Sequence, residues 1–467
     1  MRWGAFRVEV TPDGLGFSLA NGDDVWARFE LNGAQPAGRF ADDADETEHG
    51  FSLGPFACAV RHSIGQAWTL RWVLSANGSQ GSAESLGLIV RPAGGFVAWA
   101  WAAGAEGVIA VAPARRVGPV VGLRLTQGWL AGDSDGFALA PDGLSIHPGR
   151  RWVGSLRAEL YPGMEALAAR LPSWLGPLEL SAGQPWEFRE PDHALLVEPP
   201  AETRAEGDSI QVTGDAGRAE VKLHSPRGVT ALTLSFAPTL DTLLAAGASH
   251  VLRTDRRVTP AGAFVVAEAL GRSLISDPSA AERLLDSFDW GREDDLLAIA
   301  TAVVRGQRAG NTRMVRAALR RMRVVHPQLG YGRVVMATWL ASLALGEDAR
   351  DDALALLTRP TGSEWVALEL SVLNLRSLEV AGGLFAGLIN ALGGDLPGEP
   401  IGLDAVQQAH LVGLLQLCPE EWPMAAGAAS CALKNSRRLL AWVISSGFSQ
   451  PDDLAVLAWL ALGESLV

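Results

Sequence analysis

The chain of 467 residues has almost no lysine or tyrosine. Lys222 and Lys434 are the two lysines and Tyr161 and Tyr331 the two tyrosines, against 37 arginines and 16 tryptophans. The skew reads as the codon bias of a GC-rich bacterial genome, so the tryptophan count alone does not mark a sugar-binding surface. Cysteine is scarce as well. Cys58, Cys418 and Cys431 are an odd number, far apart and without CxxC spacing, which excludes a disulfide framework and a zinc site. They read as small hydrophobes in a reducing compartment.

No apolar run approaches the roughly 20 residues that span a bilayer. The densest, "LAVLAWLALGESLV", already carries Glu464. The opening "MRWGAFRVEVTPDG" alternates like a strand and has no signal-peptide core. Net charge is −13 with the acids dispersed, which argues against nucleic acid and against a polybasic membrane surface. The expectation is a cytoplasmic protein with no membrane or nucleic-acid partner.

The usual catalytic fingerprints are missing too. There is no GxSxG elbow, and "PAGGF", "VAGGLF" and "NALGGDLPGEP" lack both the P-loop lysine and a strand–GxGxxG–helix setting. No nucleotide or other cofactor is expected. Histidines are scattered, and "ADDADETEHG" (Asp42, Asp43, Asp45, Glu46, Glu48, His49) lacks the glycine and terminal glutamate of a calcium loop. It reads as a solvated acidic loop, with no metal implied.

What the chain does have is two different periodicities. To about Leu160, short alternating runs such as "AFRVEV", "FACAVRH", "WTLRWVLSANG" and "FVAWAWAAG" are broken by Gly, Pro, Asn and Asp, the pattern of an antiparallel sandwich. Residues 1–160 are therefore expected to form a large β-sandwich. Residues 161–252, with "GMEALAARLPSWLG" and about six further strands, read as a small Ig-like sandwich with short linking helices, Gly214 and Asp215 turning a hairpin. From "RTDRRVTPAG" onward the pattern is helical, and residues 253–467 are expected to form an all-α domain. About twelve amphipathic stretches fall into six hairpins of about 34 residues each, which would close as an α/α toroid or stack as a solenoid.

Carboxylates are the chemistry left, because glycoside cleavage needs only two. They stand roughly 6.5–9.5 Å apart for inversion and about 5–5.5 Å for retention. "DSFDWGREDDLLA" supplies Asp289 and Asp294 beside Trp290 and Arg292, and "PTGSEWVALEL" supplies Glu364 and Trp365. Each has a plainer reading. Asp289 to Asp295 suits an N-cap with acids in the first helical turn, and Thr361 with Glu364 can form a capping box. Trp99 and Trp101, two apart on one strand face, can stack on a pyranose or fill a core. "WEFREPDH" adds Trp186, Glu187, Arg189, Glu190, Asp192 and His193.

A β-sandwich followed by about twelve helices resembles the six-hairpin glycosidases: glucoamylases, glycogen-debranching amylo-1,6-glucosidases and disaccharide phosphorylases. "FDWGREDDLLAIATAVVRGQRAGNTRMVRAALRRM", "GRVVMATWLASLALGED" and "GSEWVALELSVLNLRSLE" are similar to that group's hairpins. The resemblance implies a glycoside hydrolase-like protein acting on or binding an α-glucan or other oligosaccharide. Asp289 or Asp294 would pair with Glu364, and Trp290, Arg292, Trp365, Trp99 and Trp101 would contact sugar. Two departures, short connections and no matched catalytic pair, leave a degenerate relative open. The alternative is a non-catalytic scaffold presenting a helical-repeat surface to a protein partner.

Overall fold

A computed structural model describes residues 1–76, 81–82, 86–133, 136–189, 194–197, 201–206, 209–254, 258–291, 294–374 and 378–464. The N-terminal part is antiparallel sheet and the C-terminal part is helical. One ladder runs through Gln35–Asp42, Glu46–Leu53, Phe56–Ile64, Trp68–Ala76, Arg151–Tyr161, Val120–Gln127, Gly107–Pro113 and Phe96–Gly104. Its last strand, Glu399–Ile401, comes from the helical half. A second ladder links Phe6–Val10, Gly16–Asn21, Asp24–Asn32, Gly87–Pro92, Gly136–Ala138 and Leu130–Asp133, and rejoins Phe96–Gly104 at its far end.

Phe96–Gly104 thus belongs to both ladders, and its alternation shows why. Ala98 and Ala100 face the inter-sheet core with Trp26, Trp68 and Trp72. Val97, Trp99 and Trp101 face the opposite way, into a core shared with the helices. Gly107–Pro113 beside it is buried at every residue, as expected of a strand covered on both faces.

A smaller two-sheet unit follows. Ser209–Gly214 pairs with Trp186–Phe188 and Ala201–Glu206, whereas Gly217–Ser225 pairs with Gly228–Ala237 and Ala194–Val197. The expected hairpin at Gly214 and Asp215 is therefore a crossing from one sheet to the other. A Cβ at Gly214 would press on the Phe236 ring, so glycine suits the corner. The acidic "ADDADETEHG" is not a plain solvated loop either: most of it lies in the hairpin Gln35–Asp42/Glu46–Leu53, where Arg61 pairs with Glu46 and Glu48 and His49 is buried.

Thirteen helices occur among the described residues, twelve of them from Leu240 onward. Leu240–Thr254 precedes the expected switch, with Thr239 receiving the Thr242 backbone N–H at 3.2 Å. Ala425–Ser446 is a single helix of 22 residues. Pro260–Gly271, Leu296–Arg308, Tyr331–Ala344 and Glu364–Leu373 pack in succession, and Asp453–Glu464 packs on both Ala405–Leu415 and Pro260–Gly271. Several of these are buried around nearly their whole circumference, Gly262 to Leu270 being an example. Thr312–Met322, outside them, buries only Val315, Ala318, Leu319 and Met322, a single stripe at helical spacing. Among the described residues no helix is long and apolar enough to cross a membrane.

Candidate functional site

A cleft of about 910 Å³ opens where the β layers meet the helical half. Its wall is built from Phe96–Gly104, the strand Glu399–Ile401, the small β unit and the helix Ala425–Ser446. Trp101 and the half-buried Trp365 bring apolar surface to it, and Glu179, Arg218, Glu399 and Arg438 bring charge.

Glu179 begins a three-residue strand laid parallel to Gly228–Ala237. Burial raises its pKa above the usual carboxylate range, against the pull of Lys434 and Arg438. No side-chain donor hydrogen-bonds its carboxylate among the described residues, and burial outweighs the opposing pull of the cations and of the nearby backbone N–H groups. Glu399 is exposed and pairs with Arg218, whose Nη2 stands 3.4 Å from Oε1. Arg438 interacts electrostatically with both carboxylates, while burial lowers its own pKa.

These cations are held rigidly. Lys434 Nζ donates to the carbonyls of Gly394 (2.5 Å) and Leu396 (2.6 Å). Arg438 donates to Gly398 O, to Gln408 Oε1 at 2.5 Å and to Asn435 Oδ1 at 2.7 Å. Trp99 lies beneath both, its ring centroid 4.9 Å from Lys434 Nζ and 5.1 Å from Arg438 Cζ, and its Nε1 donates to Pro397 O at 2.7 Å. Such cation–π contacts strengthen when water is excluded. A buried carboxyl whose pKa is raised, an exposed carboxylate and an arginine that acts on both can supply general acid and base chemistry.

The expected site residues are divided. Trp101 and Trp365 line the cleft, and Trp99 forms its support. Glu364 opens the helix Glu364–Leu373 at an adjoining hollow, where Arg115 reaches its Oε1 at 3.2 Å and its backbone carbonyl at 2.8 Å. The capping box is not formed: Ser363 is the N-cap, and Thr361 Oγ1 instead accepts from Ser363 N at 3.2 Å. Asp289 is exposed, Trp290 is half-buried, and neither lines the cleft. Asp294 is exposed and pairs with Arg321, while Asp295 caps Leu296–Arg308 through Leu297 N at 2.7 Å. Arg292 lies outside the described residues, as do Glu190, Asp192 and His193.

A second buried polar centre lies among the helices. Glu369 Oε2 and Oε1 accept from the backbone N–H groups of Gly330 (2.7 Å) and Arg333 (3.1 Å). The Arg333 guanidinium stands 4.0 Å from Glu369, lies over the Trp459 ring and donates to His410 Nδ1. Arginine is always a donor, so the His410 proton sits on Nε2. Burial pushes Arg333 down to about 10 and Glu369 up. None of these four residues lines the large cleft.

Glu179, Arg218, Glu399, Lys434 and Arg438 escaped sequence reasoning. One signal was present: "KNSRR", five polar residues inside an otherwise apolar helix. Polar groups are retained at such positions when partners await them, here the loop from Leu392 to Gly398.

No protein-family model matches the chain, and no curated protein does. Among solved structures, a polysaccharide lyase is similar over 94% of this chain and 93% of its own, with TM-score 0.56 and 13% identity. A family 81 glycoside hydrolase from Clostridium thermocellum aligns over 98% and 84% at TM-score 0.20 and 8% identity, too distant to carry any argument. The first likeness is one of fold: β layers and helices arranged as in that lyase.

Proposed function

We propose that this is a carbohydrate-active protein that binds an oligosaccharide in the interlayer cleft and cleaves it, its helices closing as an α/α toroid of the six-hairpin kind. The observation that carries the reading is the 910 Å³ cleft itself, which joins apolar ring faces to a buried acid and an exposed carboxylate. It falls within the roughly 300–1,000 Å³ of ligand sites. The fold likeness to a polysaccharide lyase supports the same substrate class by analogy. Glu179 acts as the acid and Glu399 as the base or nucleophile, with Trp101 and Trp365 against sugar rings and Glu364 at the margin. Asp289 and Asp294 take no part.

A neutral α-glucan would be hydrolysed, and a uronate chain could instead lose the proton beside its carboxylate and eliminate. Incubation with both classes tests this, with new reducing ends and the absorbance of unsaturated ends read separately. Glu179→Gln should abolish cleavage and Trp365→Ala should weaken binding. Full activity of Glu179→Gln, or loss of activity in Asp294→Ala, would move the reaction elsewhere. The absence of binding by either class would sink it.

The scaffold reading keeps one observation in its favour. Leu340, Leu343 and Leu354 are 38%, 54% and 38% exposed on the adjoining helices Tyr331–Ala344 and Arg350–Leu357. Capture of a protein partner that is lost with Leu343→Glu would establish it.

A further inference from the structure

The large cleft has a neighbour. A second hollow, of about 320 Å³, lies between the Ala168–Leu178 connection and the helix Ala425–Ser446, lined by Pro172, Leu175, Pro397, Leu433 and Lys434. Leu178 and Glu179 line both. The two spaces therefore share one wall, in which Glu179 lies, its backbone carbonyl accepting from Arg437 of the smaller hollow at 3.3 Å.

Size argues against two independent ligands. The smaller hollow is at the lower limit of about 300 Å³ for a ligand site, enough for an end of a chain rather than a whole ligand. Its character also differs. Proline and leucine give it flat, apolar sides suited to the C–H face of a sugar, and Arg437 brings a guanidinium to the same lining. The larger cleft supplies the tryptophans.

We infer that the two hollows are consecutive subsites for one oligosaccharide, the smaller holding a chain end, with Glu179 at the bond between them. This rests on the cleft being a glycan site. It adds that cleavage proceeds from a chain end and releases short products, because the smaller hollow has room for little more than one sugar.

The probes are malto-oligosaccharides and oligogalacturonates, each as a size-graded series from the disaccharide upward, titrated by calorimetry against the full chain. Leu433→Trp fills the smaller hollow from a position already 52% exposed, and an unchanged thermal transition confirms its fold. Affinity for the natural chain should rise with length and then level off. In the variant the long members should lose about tenfold, or 1.4 kcal/mol, while the disaccharide is unaffected. Identical length dependence in both proteins, or products of random length, overturns the inference while leaving the cleft assignment standing. Failure of every sugar to bind the natural chain overturns the cleft assignment itself.

Discussion

Replacing His62 by leucine should make the protein markedly more resistant to acid. His62 lies on Phe56–Ile64, 1% exposed, its ring edge-on to Phe17 at 4.9 Å and stacked on Trp68 at 6.1 Å. Neither ring nitrogen has a hydrogen-bond partner among the described residues. Burial, and secondarily the nearby His49, lower its pKa from 6.5 to about 3. The neutral imidazole is thus the form that the fold accepts. Above pH 6.5 both folded and unfolded chains are neutral there, and His62 makes no pH-dependent contribution. Between pH 6.5 and 3 the unfolded chain alone takes up the proton, so stability falls with pH by about 1.36 kcal/mol per unit. At pH 4.5 the loss is about 3 kcal/mol, and below pH 3 it levels at about 5 kcal/mol. Leucine has similar volume and no proton to gain. Urea unfolding at pH 7 and at pH 4.5, run on both proteins, isolates the effect because every other titrating group is common to them. The natural chain should lose about 3 kcal/mol more than the variant. Equal losses would refute the reasoning and show that water reaches the imidazole.

Glu179→Gln should raise the melting temperature at pH 8 and leave it unchanged at pH 4, because a carboxyl whose pKa burial has raised costs stability as pH climbs from the ordinary carboxylate range to that raised value, and the cost persists above it. Glu369→Ala should cost about 3–5 kcal/mol by denaturant titration, since it strands the fully buried Arg333, and Arg333→Met with Glu369→Leu should recover most of that loss. Gly398→Ala should weaken oligosaccharide binding and lower the melting temperature. The residue sits at φ 99°, and its Cβ would collide with the Ala100 carbonyl and push Glu399 from the cleft wall.

Alternation and helical period each report one face of an element, and the parts of the fold that depend on a single face were legible. The β-then-α order falls in this class, and Asp295 capping Leu296–Arg308 belongs to it too. Elements that serve two faces were not. The KNSRR run serves carbonyls some 40 residues earlier in the chain, Lys434 donating to Gly394 and Leu396, which the run alone does not announce. Glu179 sits in a three-residue strand whose partner begins at Gly228, a pairing that no local pattern announces. The acid-rich DSFDWGREDDLLA drew attention by composition, whereas the cleft recruits single carboxylates from separate strands.

The ladder that ends on Glu399–Ile401 also governs how the molecule can be taken apart. Neither half owns a finished surface. A fragment ending near Ala237 would keep Trp99 and Trp101 but lose their cover, and would expose the open edge of Phe96–Gly104 as a template for pairing with other copies. The helical fragment would carry Lys434 and Arg438 without the ring they lie over. Expressed separately, the first should aggregate and the second should melt early, so genetic dissection of this protein calls for point substitutions rather than truncation.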